Sequence, residues 1–578
     1  MKRWGKYIRP YIKSFILGPL GMIVEVIGDV LMPLLLAVIL NSADAGTLTI
    51  GKSIGITAIL LVIVAFMMVG GLFGAYYGAK ASVNFATDLR QDVYSKIQRF
   101  SFSNIDSFST GSLVTRMTND ITQVQNFINM LLRMALRSPG MLIGGIIMAV
   151  MLRPSLAVVL AVSIPAMLIL IAFLIRVAFP RFGIMQKKID KLNSTVRENI
   201  TNVRVVKSFV REDYEVEKFS EDNAQLKASG VNAVKIMIFM SPVMNLFMYA
   251  SIVAIIWFGH GSVLSGDMPV GDLSAFVVYT SQILMSLMMV TMLFMTSSRA
   301  LASGRRICEV LDCEVDLTDD NAHSPEARVE RGEIEFRNVS FRYYKNNSEK
   351  VLNNINIKIN SGSTVGIIGS TGCGKTTLVS MIPRLYDVDE GSVLVDSVDV
   401  RDYSLTNLRD DIGMVLQKNL LFSGSINDNL RWGKHEATDE EIIYASTQAA
   451  ADKFVSTFKD GYETLIEKGG ANLSGGQRQR VCIARALLKK PKILILDDST
   501  SAVDTATERQ IQRALKEDLA DCTKIIIAQR INSVKDADMI IVMNDGAITG
   551  CGNHDDLLRD NVEYAEIYYS QLEKKEGA

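Results

Sequence analysis

The stretch GSTGCGKTT has the residue types and spacing of a phosphate-binding loop, GxxxxGK[ST]. It follows an apolar run typical of a strand and opens a run typical of a helix. Glycines let backbone N–H groups surround phosphate oxygens, the Lys375 ammonium can reach the outer phosphates, and the Thr376 hydroxyl can bind Mg²⁺. The sequence therefore predicts a site for a nucleoside triphosphate with Mg²⁺. Its residues are Gly369, Ser370, Thr371, Gly372, Cys373, Gly374, Lys375, Thr376 and Thr377.

A second stretch, ILILDDSTSAVD, carries two adjacent acids that could act on the same nucleotide. The aliphatic run predicts a buried strand, and Asp497 at its end is placed to hold Mg²⁺, directly or through water. Asp498, the next residue, is a second acid that could act as a general base on the attacking water. Such a base must come within about 3 Å of its proton, or act through an intervening water.

A third stretch, LSGGQ, stands upstream of these acids and directly before an apparent helix, RQRVCIARALL. By itself such a stretch could be an ordinary helix N-cap. Its order in the chain, after a phosphate loop and before ILILDD, argues against an ordinary N-cap. Its residues are Leu473, Ser474, Gly475, Gly476 and Gln477.

The elements that must position these motifs are short strands alternating with helices. The runs EIEFRNVSF, STVGIIG, SVLVD, KILILD, TKIIIAQ and MIIVM are typical of strands. Their alternation with helical stretches predicts a largely parallel sheet with helices packed against it. We expect this α/β nucleotide-binding domain to cover residues 328–578, after a polar, acidic linker over residues 301–327.

The first 300 residues carry six apolar stretches, each long enough to cross a hydrocarbon core of about 30 Å. The connections alternate between short, cation-poor loops and long loops rich in Lys and Arg. The positive-inside rule therefore places both termini and the nucleotide-binding domain in the cytoplasm, and predicts a multi-pass protein of the cell inner membrane. The predicted spans run from about 14–40, 54–77, 134–151, 156–175, 236–258 and 273–295. The predicted fold class is a six-span α-helical membrane domain followed by an α/β P-loop domain.

Charge and cysteine content restrict the other possibilities. The chain of 578 residues has a formal net charge of −1, so its overall charge gives no indication of nucleic-acid binding. All six cysteines follow the last predicted span. Because the cytoplasm is reducing, we expect free thiols there rather than disulfides.

In combination, these motifs resemble those of the ABC transporters, specifically the exporter type with six spans before one ATP-binding domain. The resemblance implies that two such halves pair, with each ATP held between the phosphate loop of one half and the LSGGQ of the other. It also implies that Tyr343 stacks on adenine and that Gln417 senses Mg²⁺ and the membrane domain. The loop that crosses the dimer interface is then Ser501, Ala502, Val503 and Asp504.

Two departures from the family pattern fall at the same ATP. Asp498 replaces the usual catalytic glutamate, and Gln529 replaces the usual switch histidine. The Asp carboxylate is set back by about 1.5 Å, and a 1 Å misplacement can cost about 100-fold in rate. Gln529 can still donate a hydrogen bond, but it cannot titrate. We therefore expect this site to bind ATP and to hydrolyse it slowly, although Asp498 could also serve well enough as it stands.

This pattern is similar to that of the degenerate-site subunit of bacterial heterodimeric multidrug ABC exporters. The resemblance implies a partner half that supplies glutamate and histidine, and whose competent site is completed by the LSGGQ of this chain. A homodimeric exporter or lipid flippase with slow ATPase activity is an alternative. A nucleotide-gated regulator is another, although the sequence shows no obvious regulatory insertion between the two halves.

Two features of the spans bear on the transported compound. Glu25 and Asp29 lie on one face of the first span, where they could attract a cation, couple to protons, or simply join helices. On the sixth span, methionines form a stripe that suits varied apolar shapes but that ordinary packing also explains. These are Met285, Met288, Met289 and Met292. Both features favour a hydrophobic or cationic drug-like substrate.

Overall fold

The computed structural model describes residues 3–576 except 321, 344–348 and 500–502. The chain forms two compact units. Residues 1–98 with 111–312 form a membrane unit, and residues 99–110 with 313–578 form a C-terminal unit. Each unit is described separately below. Within the described residues, all six cysteines are free thiols, as the sequence predicts.

The membrane unit is built from long helices. Among the residues that the structure describes, six helical segments are long and apolar enough to cross a membrane. The α3 helix has 49 residues, a length of about 73 Å, and therefore exceeds the bilayer. The helices are α1 (Gly5–Ile8), α2 (Ile12–Asp44), α3 (Ile50–Gln98), α4 (Phe102–Ser107), α5 (Thr110–Thr115), α6 (Ile121–Met134), α7 (Arg137–Leu152), α8 (Pro154–Thr201), α9 (Val203–Ser208), α10 (Glu212–Leu264) and α11 (Val270–Asp312).

Glycines bring α2 and α3 close together. A Cβ added to Gly21 of α2 would lie 2.6 Å from the carbonyl oxygen of Gly70 on α3. Small residues allow such close backbone approach between membrane helices. One turn further along α2, the Glu25 carboxylate lies beside Gly71 of α3.

The last membrane helix, α11, continues to Asp312. The first dozen residues of the predicted 301–327 linker are therefore helical. A buried Asp120 at the end of a π-helical turn (Arg116–Asp120) accepts hydrogen bonds from Ser303 at 2.8 Å and from Arg306 of α11. These contacts join the two helices below the apolar segments.

The short helix α4 belongs to the C-terminal unit, although it precedes most of the membrane helices in the chain. Ser101 caps it: its hydroxyl accepts a hydrogen bond from the backbone N–H of Asn104, and the Asn104 side chain accepts one from the N–H of Ser101. Asn104 also donates to the carbonyl oxygen of Glu314 at 3.1 Å. At the other end of α4, the Tyr386 hydroxyl donates to Asp106 at 2.7 Å.

The C-terminal unit contains two main sheets. The larger has the order β12-β11-β3-β10-β9-β6, and all of its pairs except β11/β12 are parallel. The parallel sheet that the sequence predicts is thus confirmed, while the four-stranded sheet β2-β1-β4-β5 is antiparallel. The strands are β1 (Ile334–Phe341), β2 (Leu352–Ile359), β3 (Thr364–Gly369), β4 (Glu390–Val395), β5 (Val398–Asp399), β6 (Ile412–Val415), β7 (Gly424–Ser425), β8 (Leu465–Ile466), β9 (Ile493–Asp497), β10 (Thr523–Ile527), β11 (Met539–Asn544) and β12 (Ala547–Gly552).

Helices cover the larger sheet, and one of the two main buried clusters of this unit includes the apolar residues of α17. Every residue of β9 and of β10 is buried, as expected for parallel strands with both faces covered. The helices are α12 (Lys375–Ser380), α13 (Leu405–Asp410), α14 (Ile426–Arg431), α15 (Asp439–Gln448), α16 (Asp452–Val455), α17 (Gly475–Leu488), α18 (Thr505–Glu517), α19 (His554–Asp560) and α20 (Val562–Glu576).

Candidate functional site: a nucleotide site at the carboxyl edge of the parallel sheet

The parallel strands bring the predicted nucleotide residues to one edge of the sheet. Ile527 of β10 pairs with both Ile367 of β3 and Asp497 of β9. Because parallel strands end at the same edge, the phosphate loop, the two acids and Gln529 lie next to one another there. Gln417 follows β6, the neighbour of β9, by two residues and is exposed.

Two glycines give the phosphate loop its shape. Gly374 has a φ of 96°, and a Cβ there would lie 2.9 Å from the carbonyl oxygen of Val351. At Gly369 a Cβ would lie 2.1 Å from the carbonyl oxygen of Met543. These close approaches let the loop curl tightly into the start of α12, where Thr376 is exposed.

The Lys375 ammonium is held over the loop. It donates to the carbonyl oxygens of Gly369 at 2.9 Å and Ser370 at 2.7 Å. Its position is therefore at the mouth of the loop, where a phosphate group would meet it. This arrangement supports its predicted contact with the outer phosphates.

The predicted Mg²⁺ ligand Asp497 is 2% exposed. Burial raises the pKa of its carboxyl, and the neighbouring Thr376 hydroxyl and Lys375 charge oppose this rise only in part. Its Oδ2 has no hydrogen-bond partner among the described residues. A buried carboxylate oxygen without a partner is costly, and Thr376 beside it is the second predicted ligand. The residues thus fit Mg²⁺, which would neutralise charge on the phosphates.

Asp498 and Gln529, the two departures from the family pattern, contact each other. The Gln529 amide donates to the Asp498 carboxylate at 2.9 Å. Asp498 has a φ of 50°, a left-handed conformation that Asp tolerates better than most residues. Its backbone N–H donates to the carbonyl oxygen of Ile527 at 3.1 Å, which fixes it beside β10. The short acid is therefore directed toward Gln529.

This pairing has a chemical consequence. An amide donor stabilises the ionised carboxylate without supplying a positive charge or a titratable group. It also occupies an oxygen that a general base would use to accept a proton from water. Asp498 therefore has an uncharged amide as its neighbour at the position where the family pattern has a titratable histidine.

The LSGGQ stretch forms the N-terminus of α17. The Ser474 hydroxyl accepts a hydrogen bond from the N–H of Gln477 at 3.2 Å, and the Gln477 side chain accepts one from the N–H of Ser474 at 2.8 Å. Leu473 is buried, whereas Ser474 and Gly475 are exposed. The exposed backbone N–H groups of this N-terminus can bind an anion, in agreement with a predicted contact to the nucleotide of a partner.

Gln479 is a site residue that the motifs did not identify. It lies on α17, is 1% exposed, and donates to the backbone carbonyl oxygen of Asp498 at 3.2 Å. The helix that begins with LSGGQ is therefore hydrogen-bonded to the residue after the Mg²⁺ ligand. A glutamine on an otherwise apolar helix face is the sequence signal that could have identified it, because buried polar groups need hydrogen-bond partners.

Tyr343, the predicted adenine contact, lies at the other side of the phosphate loop. Its hydroxyl and that of Thr377 are 2.8 Å apart, and its ring is 39% exposed. The ring also packs edge-on against Tyr386, with centroids 5.2 Å apart. The Phe341 ring packs against it in the same way at 5.0 Å, so an adenine would have to stack on the exposed remainder of the Tyr343 ring.

The predicted interface loop is described only in part, since Ser501 and Ala502 lie outside the described residues. Val503 is buried. Asp504 caps α18, accepting hydrogen bonds from the N–H of Thr507 at 2.9 Å and from its hydroxyl at 2.7 Å. These bonds hold the pKa of Asp504 below its usual value, so it is ionised at neutral pH.

In the membrane unit, the structure assigns a partner to the predicted acids that the sequence analysis missed. Arg137 of α7 lies 2.9 Å from Glu25 and 3.5 Å from Asp29. Of the predicted methionine stripe, Met288 packs against a buried cluster. The others, Met285, Met289 and Met292, are 51%, 37% and 58% exposed.

We expect Gly374→Ala to weaken ATP binding by the full chain at least about tenfold, because the new Cβ would meet the Val351 carbonyl and the left-handed φ is unfavourable for alanine. Gly372→Ala is the matched control: its φ is 88°, but its Cβ would meet no atom within 4 Å. ATP titration of both variants checks this. Equal losses would show that the contact with Val351 is unimportant.

Comparison with known proteins agrees with this geometry over nearly the whole chain. The model of the ABC transporter transmembrane region matches residues 15–287, and the ABC transporter model matches residues 352–501. An uncharacterized ABC transporter ATP-binding protein of Bacillus subtilis, YfiB, is 37% identical over 99% of both chains. The ATP-dependent lipid A-core flippase of Desulfotalea psychrophila is 33% identical over 89% of each chain.

A solved structure shares the fold. A bacterial Atm1-family ABC exporter with ATP bound superposes with a TM-score of 0.80 over 98% of each chain, at 24% identity. The chain therefore belongs to the ABC transporters, as a fused half-transporter in which a six-span membrane region precedes a domain that binds ATP with Mg²⁺.

Proposed function

We propose that this chain is one subunit of a heterodimeric ABC exporter, and that its own ATP site binds the nucleotide but hydrolyses it slowly. The observation that carries the proposal is the hydrogen bond between Gln529 and Asp498 at 2.9 Å. It joins the two residues that differ from the usual glutamate and histidine. Both changes thus act on one site, while Lys375, Thr376 and Asp497 remain arranged for binding.

The LSGGQ stretch supports a role in a pair. Its helix N-terminus is fully formed and its Ser474 is exposed, so it can complete a site on another chain. The partner in this proposal is a second half-transporter with a glutamate and a histidine at the positions of Asp498 and Gln529. Hydrolysis there would return the pair to its starting state, while ATP at the slow site stays bound for longer.

The proposed cycle moves a compound out of the cytoplasm by alternating access of the membrane helices. In this chain, Lys375 and the phosphate loop bind the triphosphate, and Val503 and Asp504 lie in the loop proposed to reach the partner. We place the protein in the cell inner membrane, with both termini and the ATP-binding domain in the cytoplasm. Its proposed substrates are hydrophobic or cationic drug-like compounds.

A homodimeric lipid flippase is the second candidate. It is favoured by the similarity to the lipid A-core flippase of Desulfotalea psychrophila, at 33% identity. Under that function the lone chain would form both ATP sites itself, and each would contain the pair Asp498 and Gln529.

ATPase assays separate these candidates. The chain purified alone should bind ATP and hydrolyse it at least about tenfold more slowly than the chain purified with a partner half that carries glutamate and histidine. A Lys375→Ala variant of the lone chain supplies the background rate. Robust hydrolysis and transport by the lone chain would contradict the heterodimer proposal and favour the homodimer.

A further inference from the structure

Three charged side chains meet between α2 and α7 within the apolar part of the membrane unit. Arg137 Nη2 lies 2.9 Å from Glu25 Oε1 and 3.5 Å from Asp29 Oδ2. Two carboxylates thus share one guanidinium. The group carries a formal excess of one negative charge, which is costly to hold in a low-dielectric environment without a counter-ion.

Arg133, the nearest cation before Arg137 in the chain, lies on α6 and does not neutralise this excess negative charge. The stem of Arg133 packs at Gly78 of α3, whereas the Glu25 carboxylate lies at Gly71. Seven helical residues separate these levels, a distance of about 10 Å. Among the ion pairs of the described residues, Glu25 and Asp29 are joined to Arg137 and not to Arg133.

These groups are partly accessible. The side chains of Glu25, Asp29 and Arg137 are 20%, 23% and 32% exposed. Charged side chains within a membrane domain face the interior of the helix bundle or a water-filled cavity rather than lipid tails, because hydrocarbon would not solvate them. The exposed atoms of these side chains are therefore the part of the group that a ligand could reach.

Gln282 of α11 connects the charged group to an apolar surface. Its amide donates to the backbone carbonyl oxygen of Asp29 at 3.0 Å, and its own Oε1 is buried with no hydrogen-bond partner among the described residues. Met285, Met289 and Met292 follow at i+3, i+7 and i+10, on the same helix face. This exposed methionine face, about 15 Å long, begins beside the excess negative charge.

We propose that this surface binds a lipophilic monocation. Its charge lies beside Glu25 and Asp29, and its apolar body lies along Met285, Met289 and Met292. Polarizable, flexible thioethers accept varied apolar shapes, while the charged group selects the sign of the ligand. The inference deepens the proposed export function by assigning its substrate class and the residues that select it.

Two ions of nearly equal size and opposite charge test the proposal: tetraphenylphosphonium and tetraphenylborate. Binding is measured to the full chain in nanodiscs. The unchanged chain should prefer the phosphonium ion. Asp29→Asn should weaken phosphonium binding about tenfold and strengthen borate binding, while Arg137→Gln should do the reverse. A variant that merely loosens the helices would weaken both ions.

Charge-matched variants keep the test informative if Arg137→Gln alone disturbs the fold. Glu25→Gln combined with Arg137→Gln preserves the excess of one negative charge, and should bind phosphonium like the unchanged chain. Arg133→Gln should have a much smaller effect than Arg137→Gln. Met289→Ala with Met292→Ala should weaken both ions, whereas Leu61→Ala, which alters an exposed side chain of α3, should weaken neither.

Absence of phosphonium binding, or changes of the same sign for both ions in Asp29→Asn, would overturn the cation site. ATP binding and hydrolysis are measured on the same samples. If phosphonium fails to bind while ATP binds and is hydrolysed slowly, the exporter proposal stands and the cation site falls. If the lone chain hydrolyses ATP rapidly and phosphonium binding changes with the charge of the variants as predicted, the cation site stands and the heterodimer proposal falls.

Discussion

The double variant Asp498→Glu with Gln529→His should turn the chain purified alone into an ATPase, with a turnover about 100-fold above that of the unchanged chain. Glutamate returns the missing methylene, and histidine removes the amide that donates to the carboxylate at 2.9 Å. Two copies of this chain would contribute two intact LSGGQ stretches. Each ATP site of the pair would then contain a phosphate loop, a Mg²⁺ ligand, a glutamate, a histidine and an LSGGQ stretch.

The single variants should gain much less. Asp498→Glu alone leaves the Gln529 amide in place, and glutamate tolerates the φ of 50° less well than aspartate. Gln529→His alone leaves the acid too short. Lys375→Ala added to the double variant should return hydrolysis to background. If the double variant binds ATP and dimerises but gains no activity, a feature other than these two residues limits the site.

In a pair with a partner of complete catalytic residues, Ser474→Asp in this chain should lower hydrolysis about 100-fold, because a negative charge would face the phosphates of the partner's ATP. Aspartate still caps α17 well, so the helix itself should persist. Steady-state ATPase measurements on the purified pair check this.

Ser474→Asn is the matched control, since asparagine also caps the helix but adds no charge. It should retain most of the activity. Lys375→Ala in this chain should cost less than Ser474→Asp, because it disables the slow site rather than the competent one. Equal losses from Ser474→Asp and Ser474→Asn would argue against a charge effect. A larger loss from Lys375→Ala would show that this chain's own site carries the turnover.

Local sequence patterns were sufficient to predict that the main motifs of the candidate nucleotide site lie together. A phosphate loop, a strand that ends in Asp497 and a glycine-rich helix start are each recognisable within about ten residues. Parallel strands then bring them to one sheet edge. The direction of the Asp498 side chain was not predictable, because it depends on a φ of 50° that the residue types alone do not fix.

Contacts distant in sequence were harder to predict. Glu25 and Asp29 were recognisable as intramembrane acids, but their partner Arg137 is more than 100 residues away on another helix. A signal was present, because a cation at the start of a predicted span requires a counter-ion. The grouping of α4 with the C-terminal unit likewise depends on contacts between residues far apart in the chain, such as the hydrogen bond of Asn104 with Glu314.

That grouping bears on how the ATP-binding half can be isolated. A soluble fragment beginning at residue 328 would lack α4, leaving Tyr386 without the carboxylate of Asp106 and without the Phe102 ring, whose centroid lies 5.9 Å away. The exposed aromatic surface would favour aggregation. A synthetic peptide of residues 99–110 supplied in trans should restore the fragment's solubility. The ATP-binding half is, in this sense, a domain assembled from two separate pieces of the chain.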